Sequence, residues 1–319
     1  MLRDFTKGRF TSKLKNLIIA VDHGNAMIKT PHRIFASGLK SNAKRPSNGE
    51  CIRFKDIYYT LTQDRTIYHE DKTQSNVFFI LTLFAIAKEI SPRDYEDNME
   101  ITLSVGLPPE HMFDRAKRDA WARYFTSFGR KIEFEYNDRK FSIYIKRVDV
   151  SPQGYAAVFG KPEYFPPKTK SYIVDIGGYT VDVLTLKNSV LDNTLIRSLN
   201  MGIITYFNAA ISQVKTDTGI TIDEDNIQDF LTTGSTNRKD VTEALKRSWA
   251  DYSERLLNKL NELGIDLRIQ NVVFVGGGAG YLEKEVIKAS ENSKSVSVIS
   301  DIKINAIGFK KISERKPQK

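Results

Sequence analysis

SYIVDIGGYTVDVLTL, residues 171–186, reads as two apolar strands reversed on an acidic, glycine-containing turn. The first run ends at Asp175, Gly177 and Gly178 form the reversal, and Val181 begins a second strand. A carboxylate at a strand end beside a glycine leaves backbone amides open to an approaching phosphate. One such turn is weak evidence, because Asp and Gly are common turn formers. The chain has a second, LIIAVDHGNAMIK at residues 17–29, which breaks at Asp22, His23 and Gly24 before a short strand resumes. A third stretch, NVVFVGGGAGYL at 271–282, is a buried strand entering a glycine turn ahead of a helix. There a flat ring or a phosphate can lie against bare backbone near a helix N-terminus. Two acidic turns facing each other can hold a hydrated divalent cation between them. Magnesium suits such a site, because it keeps several waters and binds through one or two carboxylates plus phosphate oxygens.

Outside these turns the chain is ordinary in composition. Its 319 residues make one large domain or two modest ones, and 40% hydrophobic with 27% charged residues argues against disorder or a coiled-coil rod. The net charge of +9 invites a nucleic-acid reading until it is located. Residues 1–16 carry five basic residues against one acidic, residues 310–319 do the same, and the 293 residues between are left with +1. The single cysteine, Cys51, excludes an intramolecular disulfide framework and fits a reducing compartment. The four histidines are scattered, which argues against a zinc cluster. Val77–Ala87 is too short an apolar run to cross a membrane and reads as a buried helix. The run LIIAV is too short for a signal peptide, and a cytoplasmic location is expected.

Spacing predicts further elements. Residues 74–90 read as a helix, 101–110 as a strand entering a Gly/Pro turn, and 113–130 as one amphipathic helix with Phe113, Ala116, Ala120, Trp121, Tyr124, Phe125 and Phe128 on its apolar side. Residues 131–150 alternate on both sides of Asn137–Asp138, a hairpin pattern. Residues 35–72 look like a polar, irregular insertion on a domain edge with short β-like pieces such as DIYYTLT (56–62), and 161–170 like a linker. Helices are expected near 203–215, 224–231, 240–263, 281–290 and 303–312. The glycine-rich 276–280 departs from a dinucleotide fingerprint, because no strand–helix–strand unit with an acidic ribose ligand follows it, and a P-loop is absent.

These pieces together resemble a known family. The three turns are similar to the phosphate-1, phosphate-2 and adenosine motifs of the actin/Hsp70/hexokinase ATPase superfamily, and within it to the bacterial actin-like ATPases of plasmid segregation, the ParM type. The resemblance runs from about residue 17 to 312. It also includes SVGLPP (104–109), VSPQGYAAVFG (150–160), the NMGI turn (200–203) and SDIKINAIGFKKI (300–312). It implies an α/β actin-like fold of two related domains of mixed β-sheet around an interdomain nucleotide cleft. One domain would span 1–165 and be completed by 303–319, and the other 166–302. It implies ATP or GTP with Mg2+ as cofactors. Asp22 and Asp175 would hold the metal, mostly through its waters. Gly24, Asn25 and Ala26 would line the phosphates on one side, and Gly177, Gly178, Tyr179 and Thr180 on the other, with Gly202 of the NMGI turn also binding the nucleotide. Gly276, Gly277, Gly278 and Ala279 would back the adenosine. Ala306 and Gly308 would be the small residues of a connecting helix that lets the domains hinge.

Three residues keep two readings each. Lys29 matches a lysine of the family and reads equally as a solvated strand end. Asp182 is either an acid behind the metal ligands or a turn-closing residue. Gln153, after Ser151–Pro152 at an expected helix start, is either the residue that orients an attacking water or a polar residue facing solvent. Relatives often carry glutamate there, and an amide orients water while being a poor base. With Asp22 and Asp175 it completes the candidate catalytic set. His23 is expected to be structural, and Cys51 an ordinary thiol.

The resemblance implies a filament-forming ATPase, with other copies of itself and a DNA-binding adaptor as partners and plasmid DNA as cargo. A non-polymerising kinase or chaperone-like ATPase is the alternative, as is a membrane-associated cytoskeletal actin anchored by residues 1–16. Leu2, Phe5, Phe10 and Leu14 roughly share a helical face there, although Gly8 weakens that helix and disorder is the plainer reading. Direct, sequence-specific nucleic-acid binding is not expected, since basic tails alone bind without sequence preference.

Overall fold

A computed structural model describes residues 17–65, 71–90, 95–166, 169–291 and 293–317. The leader 1–16, with its expected amphipathic face, lies outside the described residues. The first half of the chain runs β1 (Leu17–His23), β2 (Met27–Lys29), β3 (Ile34–Ala36), β4 (Gly38–Asn42), β5 (Cys51–Phe54), β6 (Ile57–Thr62), α1 (Val77–Glu89), β7 (Met99–Leu107), α2 (Pro109–Phe113), α3 (Arg115–Tyr124), β8 (Lys131–Tyr136), β9 (Arg139–Pro152) and α4 (Tyr155–Val158). Its strands form one nine-stranded sheet in the order β3-β2-β1-β7-β9-β8-β5-β6-β4. β3 and β4 are the two outermost strands, yet only Ser37 separates them in sequence. The sheet is therefore rolled until its two edges meet. Ser37 fastens this seam to the first acidic turn, its amide donating to the Ala26 carbonyl at 3.0 Å and its hydroxyl to the Asn25 carbonyl. Inside the roll runs α1, apolar all round and buried from Phe78 to Ala87, as a helix without a polar face must be.

Residues 35–72 are more regular than expected, although the β-like DIYYTLT does form a strand, β6. Three strands, β4, β5 and β6, form there, and β5 joins the main sheet through β8. The strands are short, so whatever alternation they carry is too brief to stand out from a polar background. The expected helix 113–130 is also divided. Asp114 interrupts it, caps α3 by accepting from the amides of Ala116 and Lys117, and leaves Phe113 half exposed. Ala116 is exposed as well.

The second half runs β10 (Lys170–Ile176), β11 (Val181–Lys187), β12 (Val190–Leu199), α5 (Ile203–Thr218), α6 (Glu224–Thr233), α7 (Lys239–Glu262), β13 (Asn271–Val275), α8 (Glu283–Ala289), β14 (Val296–Val298) and α9 (Ile304–Arg315). Its five-stranded sheet has the order β12-β11-β10-β13-β14, with α5 and α7 packed together over a core of Tyr206, Leu245, Tyr252 and Phe274. The expected linker is held down: Phe165 is buried, and Asn271 Nδ2 donates to the Tyr164 carbonyl at 2.7 Å. The last helix, α9, returns to the first sheet and packs on β1, β7 and α4. A Cβ on Gly308 would lie 1.8 Å from the Ala156 carbonyl oxygen. Its small size is therefore spent on close packing of α9 against α4.

Candidate functional site

The three glycine-bearing turns lie on three strands that end side by side. β10 is central in its sheet and pairs in parallel with β13, so the 177–180 and 276–278 turns emerge at the same edge. The 24–27 turn faces them from the end of β1, and a cleft of about 500 Å³ lies between. Asp22, Gly24, Asn25, Lys29 and Gln153 line one wall. Asp175, Gly177, Gly178, Tyr179, Thr180 and Asp182 line the other, with Gly276 and Gly277.

Four expected residues serve the cleft from behind instead of lining it. Ala26 packs against the core of the second half. Gly202 supports the second turn: its amide donates to the Tyr179 carbonyl at 2.9 Å, and a Cβ there would meet the Gly178 carbonyl oxygen at 2.4 Å. Gly278 donates to the Ile176 carbonyl, and a Cβ would strike the Ile176 side chain at 2.5 Å. Ala279 is fully buried. Gly276 is required for two reasons, since its φ is +94° and a Cβ would lie 2.3 Å from Asp175 Oδ1. Of this motif, Gly277 presents open backbone, with only the Ile302 side chain, at 4.0 Å, near its Cβ direction.

The two buried aspartates are held differently. Asp22 accepts from Gln153 Nε2 at 2.8 Å and pairs with Lys29 Nζ at 3.4 Å. A carboxylate only accepts, so the Gln153 nitrogen faces Asp22 and its amide oxygen is the remaining acceptor. Gln153 directly follows β9 and precedes Gly154, the cap residue of the short helix α4, as expected of a residue at a helix start. Asp175 accepts from Asn305 Nδ2 at 2.9 Å, and the Asn305 oxygen accepts from the Gly154 amide at 2.9 Å. Burial raises the Asp175 carboxyl to about 6, an effect opposed by Asn305 and reinforced by the charge of Asp22. Burial likewise raises Asp182 to about 7, opposed by its Ser198 hydrogen bond and reinforced by Asp175. Asp182 Oδ1 and Asn25 Oδ1 are buried with no hydrogen-bond partner.

His23 is buried among Phe78, Trp121 and Phe125. Burial, aided by the charge of Lys72, holds its ring neutral by lowering its pKa to about 3. The Thr82 hydroxyl gives its hydrogen to the Phe78 carbonyl at 2.7 Å, so His23 Nε2 must be the donor to Thr82. Cys51 is buried on β5, away from the cleft.

Several lining residues were invisible to sequence reasoning. Glu110 on α2 reaches across the cleft to accept from the Ser198 amide at 2.9 Å. Lys72, Asn200, Ile302 and Asn305 also line it. Only the fold brings these together; the one local hint was Asn305, a polar residue among small and apolar neighbours on the last helix.

The oxygen-rich set fits a hydrated magnesium ion. Among the described residues no cluster of three His, Cys, Asp or Glu side chains could enclose a metal. Two facing carboxylates with unpartnered buried oxygens beside them are the donor set of a cation that keeps its waters and shares phosphate oxygens.

Comparisons with known proteins find matches in both halves of the chain. Residues 49–155 match the family described as actin-like proteins, N-terminal domain, and residues 173–288 match the archaeal actin homologue MreB-like C-terminal family. The chain has the actin-like fold. Its fold is shared with a 15-stranded ParM filament from Clostridium botulinum, at TM-score 0.75 and 19% identity over 94% of this chain and 99% of that one. An archaeal actin homologue, Ta0583, aligns at TM-score 0.75 and 16% identity, over 94% of this chain and 100% of its own. The same homologue in complex with ADP aligns at 0.73 and 15%, over the same shares. No curated protein matches the sequence. The actin-like architecture of two mixed sheets with flanking helices is thus as the sequence implied. Among the described residues no helix is long and apolar enough to cross a membrane.

Proposed function

We propose that this actin-like protein hydrolyses a nucleoside triphosphate and assembles with copies of itself into filaments that move plasmid DNA through a DNA-binding adaptor. The observation that carries the reading is the convergence of three distant turns on one cleft, with Asp22 and Asp175 facing each other across it. In this reading residues 1–165 with 303–319 form one domain and 166–302 the other, and the nucleotide lies between them. The amides of the 24–27 and 177–180 turns bind phosphate oxygens, and Gly277 with Ile302 forms the flat slot for the base. Asp22 and Asp175 hold Mg2+ through its waters, and the ion supplies positive charge against the phosphates. Asp182 accepts from those waters. Gln153, anchored through its nitrogen to Asp22, turns its oxygen toward an attacking water and orients it. Positioning without a strong base makes turnover slow, which suits a filament timer. The filament and plasmid role is supported by the ParM resemblance.

Sedimentation and light scattering with Mg2+ and ATP, GTP, ADP or no nucleotide test the reading. A triphosphate-dependent pellet is expected. Triphosphate binding and hydrolysis without any assembly at high protein concentration would leave a non-polymerising ATPase in its place.

A further inference from the structure

Resting on the nucleotide reading of the cleft, we propose that Lys72 is a second phosphate-binding lysine, directed at the terminal phosphate of a bound nucleoside triphosphate. Lys72 belongs to the connection between β6 and α1, and so is presented by the outer layer of the rolled sheet. Its ammonium reaches the cleft that Asp22, Asp175 and Thr180 line, and it donates to the carbonyl of His23 beside Asp22. Lysine carries three donors and no acceptor, so the carbonyl leaves two donors for something else.

The other cation of the wall is committed elsewhere, Lys29 being paired with Asp22 at 3.4 Å. Among the described residues no carboxylate forms an ion pair with Lys72. Burial lowers its pKa to about 8, against the pull of Asp22, the mark of an ammonium whose lost hydration the protein has not replaced. Phosphate oxygens entering the cleft would replace it. The segment is also built to hold the group in place. Asp71 Oδ1 accepts from the Thr73 amide at 2.9 Å and its hydroxyl at 2.6 Å. Asn76 donates to the Tyr59 hydroxyl at 3.2 Å, the Tyr124 hydroxyl to the Ser75 carbonyl at 2.7 Å, and the Lys72 ammonium lies 5.0 Å from the centre of the Phe78 ring. A phosphate contact made here, and lost when the terminal phosphate leaves, is transmitted to β6 and α1 through those bonds.

Calorimetric titration of the full chain, at concentrations where no light scattering develops, tests this with Mg2+-ADP and with Mg2+ plus the non-hydrolysable β,γ-imido analogue of ATP. Lys72→Met is expected to weaken binding of the analogue by about tenfold to a hundredfold, the worth of a hydrogen bond to a charged group. ADP binding should change by less than about threefold on the same scale, and Lys72→Arg should restore most of the loss. If Lys72→Met does not fold, Lys72→Gln keeps a donor for the His23 carbonyl and carries the same comparison. Equal losses for both nucleotides, or no loss for either, overturn the assignment. Wild-type protein that binds neither nucleotide overturns the cleft reading along with it, whereas normal wild-type binding matched by the variant overturns Lys72 alone.

Discussion

In the hairpin of β1 and β2, Asp22 stands opposite Lys29; in the hairpin of β10 and β11, Asp175 stands opposite Asp182. Both hairpins close through a four-residue loop that begins with glycine, 24–27 in one and 177–180 in the other, and in both the carboxylate is two residues before that glycine. The backbone plan repeats while the charge across the strands is reversed. Asp22 is paired with Lys29 within its own hairpin and tied to Gln153, so its charge is balanced before any ligand arrives. Asp175 faces a second buried acid, and both are pushed toward protonation. In the proposed reading that arm is completed from outside, by a cation. The lesson is that one turn geometry can be made either self-sufficient or ligand-demanding by a single cross-strand residue.

The comparison can be broken most forcefully at Asp175. Asp175→Ala should lower turnover roughly a thousandfold, the scale of several kcal/mol of lost metal-assisted charge stabilisation. Steady-state phosphate release at saturating Mg2+ measures it, and turnover near the wild-type value would remove Asp175 from the metal site. Gln153→Ala comes next, with a loss of roughly a hundredfold in kcat and little change in nucleotide affinity. Equal losses in both would mean that Gln153 only props Asp22. Lys29→Met should weaken nucleotide binding about tenfold by leaving Asp22 without its counter-charge. A variant that binds as the wild type does would make Lys29 a solvated strand end after all.

The smallest effect is on stability, and its sign separates the two hairpins. Asp182 is raised to about 7 when folded against an ordinary 3.8, so the folded form holds its proton more tightly. The stability this contributes is complete below about pH 4 and is lost as pH rises through 7. His23 is lowered to about 3 from 6.5, so its contribution is complete above pH 6.5 and is lost as pH falls toward 3. Nucleotide-free protein should therefore lose melting temperature between pH 6.5 and 8, and Asp182→Asn should flatten that slope by roughly 2 °C. Thermal melts across this range with and without Mg2+-nucleotide measure it. An unchanged slope in the variant would show that Asp182 does not titrate there.

Both hairpins were legible in the sequence because their signal is local, an apolar run, an acid and a glycine within a few residues. The residues that complete them were not. Asn305 reaches Asp175 from 130 positions away, and Lys72 reaches the His23 carbonyl from 49. Each depends on where the sheets place the chain, and neither lies in a pattern of its own. β12 was missed for a different reason. It is an edge strand with no fully buried residue, so VLDNTLIRSL carries no alternation to read. Gly202, Gly276 and Gly278 were read as ligand-facing, and the sequence could not reveal that the space denied to their Cβ atoms is occupied mainly by the protein itself. Gln153 was found by resemblance, although its strand-end position follows from β9 being longer than the alternating stretch suggested.

The contact of Gly308 with Ala156 bears on how such a cleft can move. Two helices meeting with no clearance behave as a bearing that can roll but has no travel. A cleft motion that keeps this contact must pivot at it, and the displacement of any point then grows with its distance from that axis. Asn305, three residues from the contact, would scarcely move in such a rotation, so its bonds to Asp175 and Gly154 would be kept. The Arg65–Glu224 pair, which bridges the outer layer and α6 across the two halves, lies on the long arm. It is the first contact that rotation would stretch.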